Sequence, residues 1–270
     1  MQTAALTTGA QAPAVPPPSP TSPAKPDLAI RGLCKSFEAN RAILTDVSFS
    51  IANKEAVALI GSNGAGKSTA LRCAMRLIEP DSGEAVLFGT ELRSAKARQL
   101  RKIRSDVGFV FQKHNLVPRV SALTNVVHGN LGRASGVRGW SQAFSGRQIR
   151  ERAYACLERV GLSEQAMKRA DQLSGGQSQR VAIARALMQQ PKMIVADEPV
   201  ASLDPVAGQE VMDLFHHLAK EEGITLLFTT HNVAHALAYS DRVVALRGGK
   251  VELDQTSAVL SSSDLNEFYG

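Results

Sequence analysis

Cysteine and long apolar runs are scarce in this chain, and each scarcity excludes a class of protein. The three cysteines, Cys34, Cys73 and Cys156, are scattered and form no C-x-x-C pair. That argues against a disulfide framework or a cysteine metal site and fits a reducing compartment. No apolar run approaches the roughly 18 residues that would span a bilayer. The opening residues do not show a basic region followed by an apolar one, so they do not read as a secretory signal. No internal repeat is present. These absences predict a soluble chain whose membrane role, if it has one, is peripheral.

What is present is a globular composition. The chain has 270 residues, of which 44% are hydrophobic and 21% charged. That length allows one large α/β domain or two small ones. The net charge is +6 and the isoelectric point about 9.4. A basic balance attracts anions, and nucleic acid, anionic lipid and phosphate ligands all qualify. Residues 1–27 are rich in Ala, Pro, Ser and Thr and bury too little apolar surface to offset their ordering entropy. They are expected to form a disordered tail, with an ordered domain over 28–270.

From residue 28 onward strand and helix patterns alternate. Residues 55–60, 106–112, 193–197, 224–230 and 242–246 read as buried strands. Residues 67–78, 175–190 and 205–222 have helical spacing, the first stopping before Pro80 and the last opened by Pro205. A short helix is expected through His235. This alternation predicts an α/β fold with a mostly parallel sheet covered by helices. The pair 31–36 and 46–51, with 83–88, reads as a small antiparallel sheet outside that core. About 80 residues between Gln112 and Met193 look helical or looped, which predicts a helical subdomain over about 113–190.

The sharpest local signal is Gly61, Ser62, Asn63, Gly64, Ala65, Gly66, Lys67, Ser68, Thr69. It matches G-x-x-x-x-G-K-[ST] and sits between an expected strand and an expected helix, the context that a phosphate-binding loop requires. Glycines let the backbone approach an anion. Successive amides and the helix N-terminus then aim positive charge at phosphates. Lys67 would reach the β- and γ-phosphates, and the Ser68 hydroxyl would ligate Mg²⁺. A Gly-rich turn containing Lys-Ser by chance is the bland alternative, and the strand-then-helix context leaves it little room.

Two acids, Asp197 and Glu198, end the apolar strand 193–197. Ligands of open α/β sheets bind at the carboxyl ends of strands. Asp197 is placed to hold Mg²⁺, and Glu198 to polarise a water at the γ-phosphate. Leu173, Ser174, Gly175, Gly176, Gln177 open the helix 175–190 and form a second potential anion cradle. Alone, Ser-Gly-Gly is a routine cap and turn.

Taken in order, these motifs resemble the ATP-binding subunits of ABC transporters over nearly all of residues 28–255. The phosphate loop 61–69 comes first, then Gln112 after a strand, then the signature Leu173 to Gln177. Asp197 and Glu198 follow, then the loop Ser202, Leu203, Asp204, and finally His231 after the strand 224–230. The resemblance implies a P-loop NTPase core and the cofactors ATP and Mg²⁺. It further implies a head-to-tail dimer, expected to be a homodimer. Each ATP would lie between 61–69 of one chain and Ser174, Gly175, Gly176, Gln177 and Asp204 of the other. Glu198 would be the general base, His231 would contact the γ-phosphate, and Gln112 would sense Mg²⁺ and the attacking water. Phe37 would stack on adenine, where family members often carry Tyr. The segment 113–133 would receive a membrane partner.

Two stretches resemble the branch that powers phosphonate uptake. One runs from Phe109 to Arg133 and contains Asn115, Leu116, Val117, Arg119 and Ser121; the other runs from Ala186 to Pro205. Ala122 departs from the branch, where a bulkier apolar residue is usual. The implied partners are transmembrane permease subunits and an extracytoplasmic substrate-binding protein, at the cytoplasmic face of the bacterial plasma membrane. Polar amino acid or phosphate importers and an exporter stay open. A nucleic-acid-associated ABC ATPase is the rival of another class, suggested by the basic run Arg93, Lys96, Arg98, Arg101, Lys102, Arg104. Against it, the sequence has no second cassette, no coiled-coil insertion and no cysteine cluster, so no nucleic-acid partner is expected.

Overall fold

The computed structural model describes residues 25–38, 41–133 and 146–268. Two sheets frame it. β1 (Leu28–Glu38), β2 (Arg41–Ile51), β4 (Ser82–Leu87) and β5 (Thr90–Glu91) form an antiparallel sheet in the order β2-β1-β4-β5. β3 (Ala56–Ile60), β6 (Val107–Val110), β7 (Met193–Ala196), β8 (Thr225–Thr229), β9 (Arg242–Arg247) and β10 (Lys250–Thr256) form the second, in the order β10-β9-β3-β8-β7-β6. All its pairings are parallel except that of β10 with β9.

Every residue of β3, β7 and β8 is buried, as a parallel strand covered on both faces requires. Side chains alternate between the two faces of a strand. Ala56, Ala58 and Ile60 join a cluster with α3 (Ala122–His128), α4 (Arg147–Arg159), α5 (Gly175–Leu187) and α6 (Pro205–Lys220). Val57 and Leu59 face a second cluster with β1, β2 and α1 (Lys67–Ala74). The helical segment between β6 and β7 thus shares one core with the sheet. Residues 134–145 within it lie outside the described residues. The remaining α-helices among the described residues are α2 (Ala97–Arg104), α7 (Val233–Tyr239) and α8 (Ser262–Asn266). Among the described helices none is long and apolar enough to cross a membrane.

Several elements differ from the sequence expectation. α1 ends at Ala74 rather than near 78, because Arg76 takes a left-handed φ of 50°. Its guanidinium is held there by the carbonyls of Leu92 and Ala95 at 2.7 and 3.1 Å, partners remote in sequence. The strand expected over 106–112 pairs only from Val107 to Val110, since its neighbour β7 ends opposite it at Ala196. β10 and α8 carry no sequence expectation. The expected tail, residues 1–27, falls outside the described residues up to residue 24. Asp27 already belongs to the fold: its amide donates to the Ile51 carbonyl at 2.9 Å, and its carboxylate accepts from Thr225 Oγ1 at 2.6 Å.

Candidate functional site

Four parallel strands end on one edge of the sheet and deliver the chemistry there. β3 ends at Ile60 and runs into the phosphate loop. β7 ends at Ala196, before Asp197 and Glu198. β8 ends at Thr229, two residues before His231, and β6 at Val110, two residues before Gln112. Register keeps these ends level: Leu59 faces Thr229, Phe228 faces Ala196, and Ala196 faces Val110. Because β8 lies between β3 and β7, the loop and the acids share the same crevice.

The loop needs its glycines. Gly61 has φ 145°, and a Cβ there would lie 2.3 Å from the Leu246 carbonyl. Gly66 has φ 102°, and a Cβ there would lie 2.8 Å from the Ile43 carbonyl. Either clash would unseat backbone rather than a flexible side chain. Gly66 then caps α1, whose first turn carries no acidic residue, leaving its positive end uncompensated. Lys67 is buried, and its Nζ donates to the carbonyls of Gly61 at 2.8 Å and Ser62 at 3.2 Å. The ammonium is therefore held inside the loop, 3.6 Å from Glu198 Oε1.

The two acids differ in surroundings. Asp197 is 2% exposed and its carboxylate accepts from Ser68 Oγ at 2.7 Å and Thr229 Oγ1 at 3.1 Å. Arg72 Nη2 stands 3.7 Å from its second oxygen. Glu198 has a left-handed φ of 46°, and its amide donates to Thr229 Oγ1 at 2.7 Å. A non-glycine residue in that region costs about 1–3 kcal/mol and marks a constrained site. Glu198 lines a cavity of about 260 Å³ together with Asn63, Gly64, Lys67, Ser68 and Thr69. Phe37, 59% exposed, stands at the same cavity beside Arg41, with Lys35 Nζ 5.6 Å from its ring.

The other predicted residues lie elsewhere. His231 is exposed and lines an adjoining hollow with Ser62 and Asn63. Gln112 is exposed and lines a different hollow with Ser178 and Ser202. Ser174 caps α5: its Oγ accepts the Gln177 amide at 3.2 Å, while the Gln177 side chain accepts the Ser174 amide at 3.1 Å. Gly176 lets α5 approach α6, since a Cβ there would lie 2.9 Å from Ala207 Cβ. Asp204 caps α6 through the Ala207 amide at 3.0 Å. Ser174, Gly175, Gly176, Gln177 and Asp204 do not line the phosphate-loop cavity of their own chain.

Sequence reasoning missed Thr229, which is fully buried and bridges both acids through one hydroxyl. A threonine at the end of an apolar strand, two residues before His231, was the available signal. It also missed Arg72, one helical turn beyond Ser68 on α1.

The chain matches the family model described as ABC transporter over residues 44–201. It is 42% identical to the phosphonates import ATP-binding protein PhnC of Treponema denticola, over 84% of this chain and 88% of that protein. It is 44% identical to the protein of the same name from Lactiplantibacillus plantarum, over 88% and 92%. The chain belongs to the ABC transporter family, as one of its ATP-binding subunits. Among solved structures it superposes on the dimeric, post-hydrolysis cassette MJ0796 bound to ADP and Pi with a TM-score of 0.76 and 34% identity, covering 85% of this chain and 98% of that one. It superposes on cbiO1 of Clostridium perfringens, part of the cbiONQ ABC transporter complex, with a TM-score of 0.77 and 28% identity, covering 90% and 93%. This ABC subunit is therefore an ATP-binding P-loop ATP hydrolase, and membership implies membrane permease partners and pairing of two cassettes.

Proposed function

We propose that this ABC ATPase powers import of phosphonates or related phosphorus compounds through a membrane permease, from the cytoplasmic face of the bacterial plasma membrane. The observation that carries the reading is identity above 40% to phosphonate import ATP-binding proteins along most of both chains. The geometry supplies the motor. Lys67 and the first turn of α1 take the phosphates, and the exposed Phe37 ring offers a face to adenine.

The Ser68 hydroxyl and Asp197 carboxylate, 2.7 Å apart, form a hard oxygen pair that suits Mg²⁺. Such an ion would supply charge neutralisation on the phosphates; Gln112, which lines a neighbouring hollow in this chain, would join that site on closure. Glu198 accepts the proton of the attacking water, and His231 contacts the γ-phosphate. Two copies pair head to tail, so that Ser174, Gly175, Gly176, Gln177 and Asp204 of one copy close on the ATP of the other. Their absence from their own chain's cavity supports that pairing.

The segment 113–133 and the hollow beside it, lined by Leu100, Arg101, His128, Gly132 and Gln189, receive the permease. An extracytoplasmic binding protein selects the substrate. Part of the basic run on α2 is used internally: Arg104 donates to the Met75 carbonyl at 3.0 Å and Arg101 to that of Leu131 at 3.2 Å. That use weakens the nucleic-acid alternative.

The test is growth of a bacterium lacking this gene and any second phosphonate uptake system, with phosphonate as the only phosphorus source. The native chain should restore growth and Lys67→Ala should not. Growth without the gene would remove the phosphonate assignment and turn attention to phosphate and amino acid import.

A further inference from the structure

The helix that carries the signature at its start carries a clamp near its end. Arg185, on α5, donates through Nη1 to the Asn115 carbonyl at 2.6 Å and through Nη2 to the His114 carbonyl at 2.8 Å. Its guanidinium is partly buried, and burial pulls its pKa below the ordinary value. A desolvated cation spent on two backbone carbonyls fixes those carbonyls in place. Asn115 itself holds a left-handed φ of 50°. A second clamp lies just beyond. The fully buried Asn125 of α3 accepts the Val117 amide at 2.8 Å and donates to the Val117 carbonyl at 3.1 Å. Phe111, Gln112 and Lys113 are thus left between the last paired residue of β6 and the Arg185 clamp.

We propose that Arg185 is a positioning residue that couples the two nucleotide sites of the paired ATPase, a role that rests on the reading of Gln112 and Ser174 given above. Ser174 caps the first turn of α5 and serves the ATP of the second copy. Arg185 lies about 16 Å further along the same helix at 1.5 Å per residue. It grips the loop that carries Gln112, which serves the chain's own ATP. A rigid helix joined to a loop by a two-pronged fork moves that loop whenever its first turn shifts. Closure of Ser174 on the partner's phosphates then resets Gln112 two residues from the clamp. Lysine cannot reproduce this, because an ammonium lacks the planar fork that holds two consecutive carbonyls.

The experiment uses the full chain with MgATP. Arg185→Lys should lower kcat by about tenfold, a typical size for coupling between sites. KM for ATP should stay within about twofold. The Hill coefficient for ATP should fall from above one in the parent to one in the variant. Amide exchange should quicken over residues 113–116 and stay unchanged along α5. Asn115→Val, which places a β-branched residue at positive φ and displaces the same carbonyls while keeping Arg185, should give the same kinetic result. Parental kcat and cooperativity in both variants would overturn the proposal. So would a parent chain without cooperativity, or faster exchange along the whole of α5, which would reduce Arg185 to a helix stabiliser. Gln112→Ala run in parallel separates the two readings. If it hydrolyses ATP at the parental rate, the role of Gln112 fails and the coupling with it. If it is slow while Arg185→Lys is parental, the coupling alone fails.

Discussion

One hydroxyl holds the two acids of this site in register. Thr229 Oγ1 donates to Asp197 and accepts the amide of Glu198, a residue kept at left-handed φ. Removing the hydroxyl leaves a buried carboxylate short of a donor and a partly buried amide short of an acceptor, at a cost of about 1–3 kcal/mol. Thr229→Val is expected to lower Tm accordingly and to cut kcat for ATP at least about tenfold, with ATP affinity nearly unchanged. Calorimetry and a steady-state ATPase assay check the two halves of that statement.

His235 makes a second residue-scale case. Its Nδ1 is buried without a partner, and burial first, then the charge of His231, lower its pKa from the usual value near 6.5. The native state therefore favours the neutral ring, while the unfolded chain takes up a proton more readily. Stability is complete above about pH 6.5 and is lost as pH falls through the window below it. His114 shifts in the same direction, through burial and then Arg185. His235→Gln should flatten, without abolishing, the decline of Tm between about pH 7 and about pH 5.

At the scale of elements, the start of α5 is a cap to which the proposed pairing adds a second purpose, and experiment can separate the two. Ser174 and Gln177 close a reciprocal capping box on α5 within one chain. Loss of such a cap costs about 1 kcal/mol, which is about 2–4 °C in Tm for a chain of this size. Ser174→Ala should show that modest thermal loss together with a fall in ATP hydrolysis far beyond it, because in the proposed pairing the same hydroxyl and amides face the second copy's phosphates. A fall in activity no larger than the loss of folded protein would mean that the motif is only a cap. The comparison with Asp204, which caps α6 in the same manner, is direct.

At the scale of the whole molecule, part of the machinery named in the sequence lines one cavity and part does not. Lys67, Ser68 and Glu198 converge with Phe37, while Ser174 to Gln177 and Asp204 stand on other surfaces. On the proposed head-to-tail pairing a single chain is an incomplete site, and ATP would be the adhesive between two copies. Glu198→Gln should bind ATP, hydrolyse it at least about a hundredfold more slowly, and persist as a dimer of the 28.8 kDa chain in light scattering. A variant that hydrolyses at the parental rate would take the general-base role away from Glu198.

The sequence by itself determined the family and the order of its motifs, because phosphate chemistry fixes which residues stand beside one another in the chain. Gly61 to Thr69 reads as a phosphate loop from spacing alone, and Asp197 with Glu198 reads as a strand-end acid pair. The buried strands were legible for the same local reason: β3 and β7 are runs of apolar residues at strand length. Tertiary structure decided the rest. The end of α1 is set by the remote carbonyls that hold Arg76. The end of β6 is set by its neighbour β7. Thr229 acquires its role only when β8 lies between β3 and β7, and Arg185 only when α5 packs beside the loop after Gln112. Thr229 lies 31 and 32 residues from Glu198 and Asp197, and Arg185 lies 71 and 70 from His114 and Asn115. Local propensity and spacing act within a turn or a strand, and contacts between distant segments exist only once the sheet has brought them together.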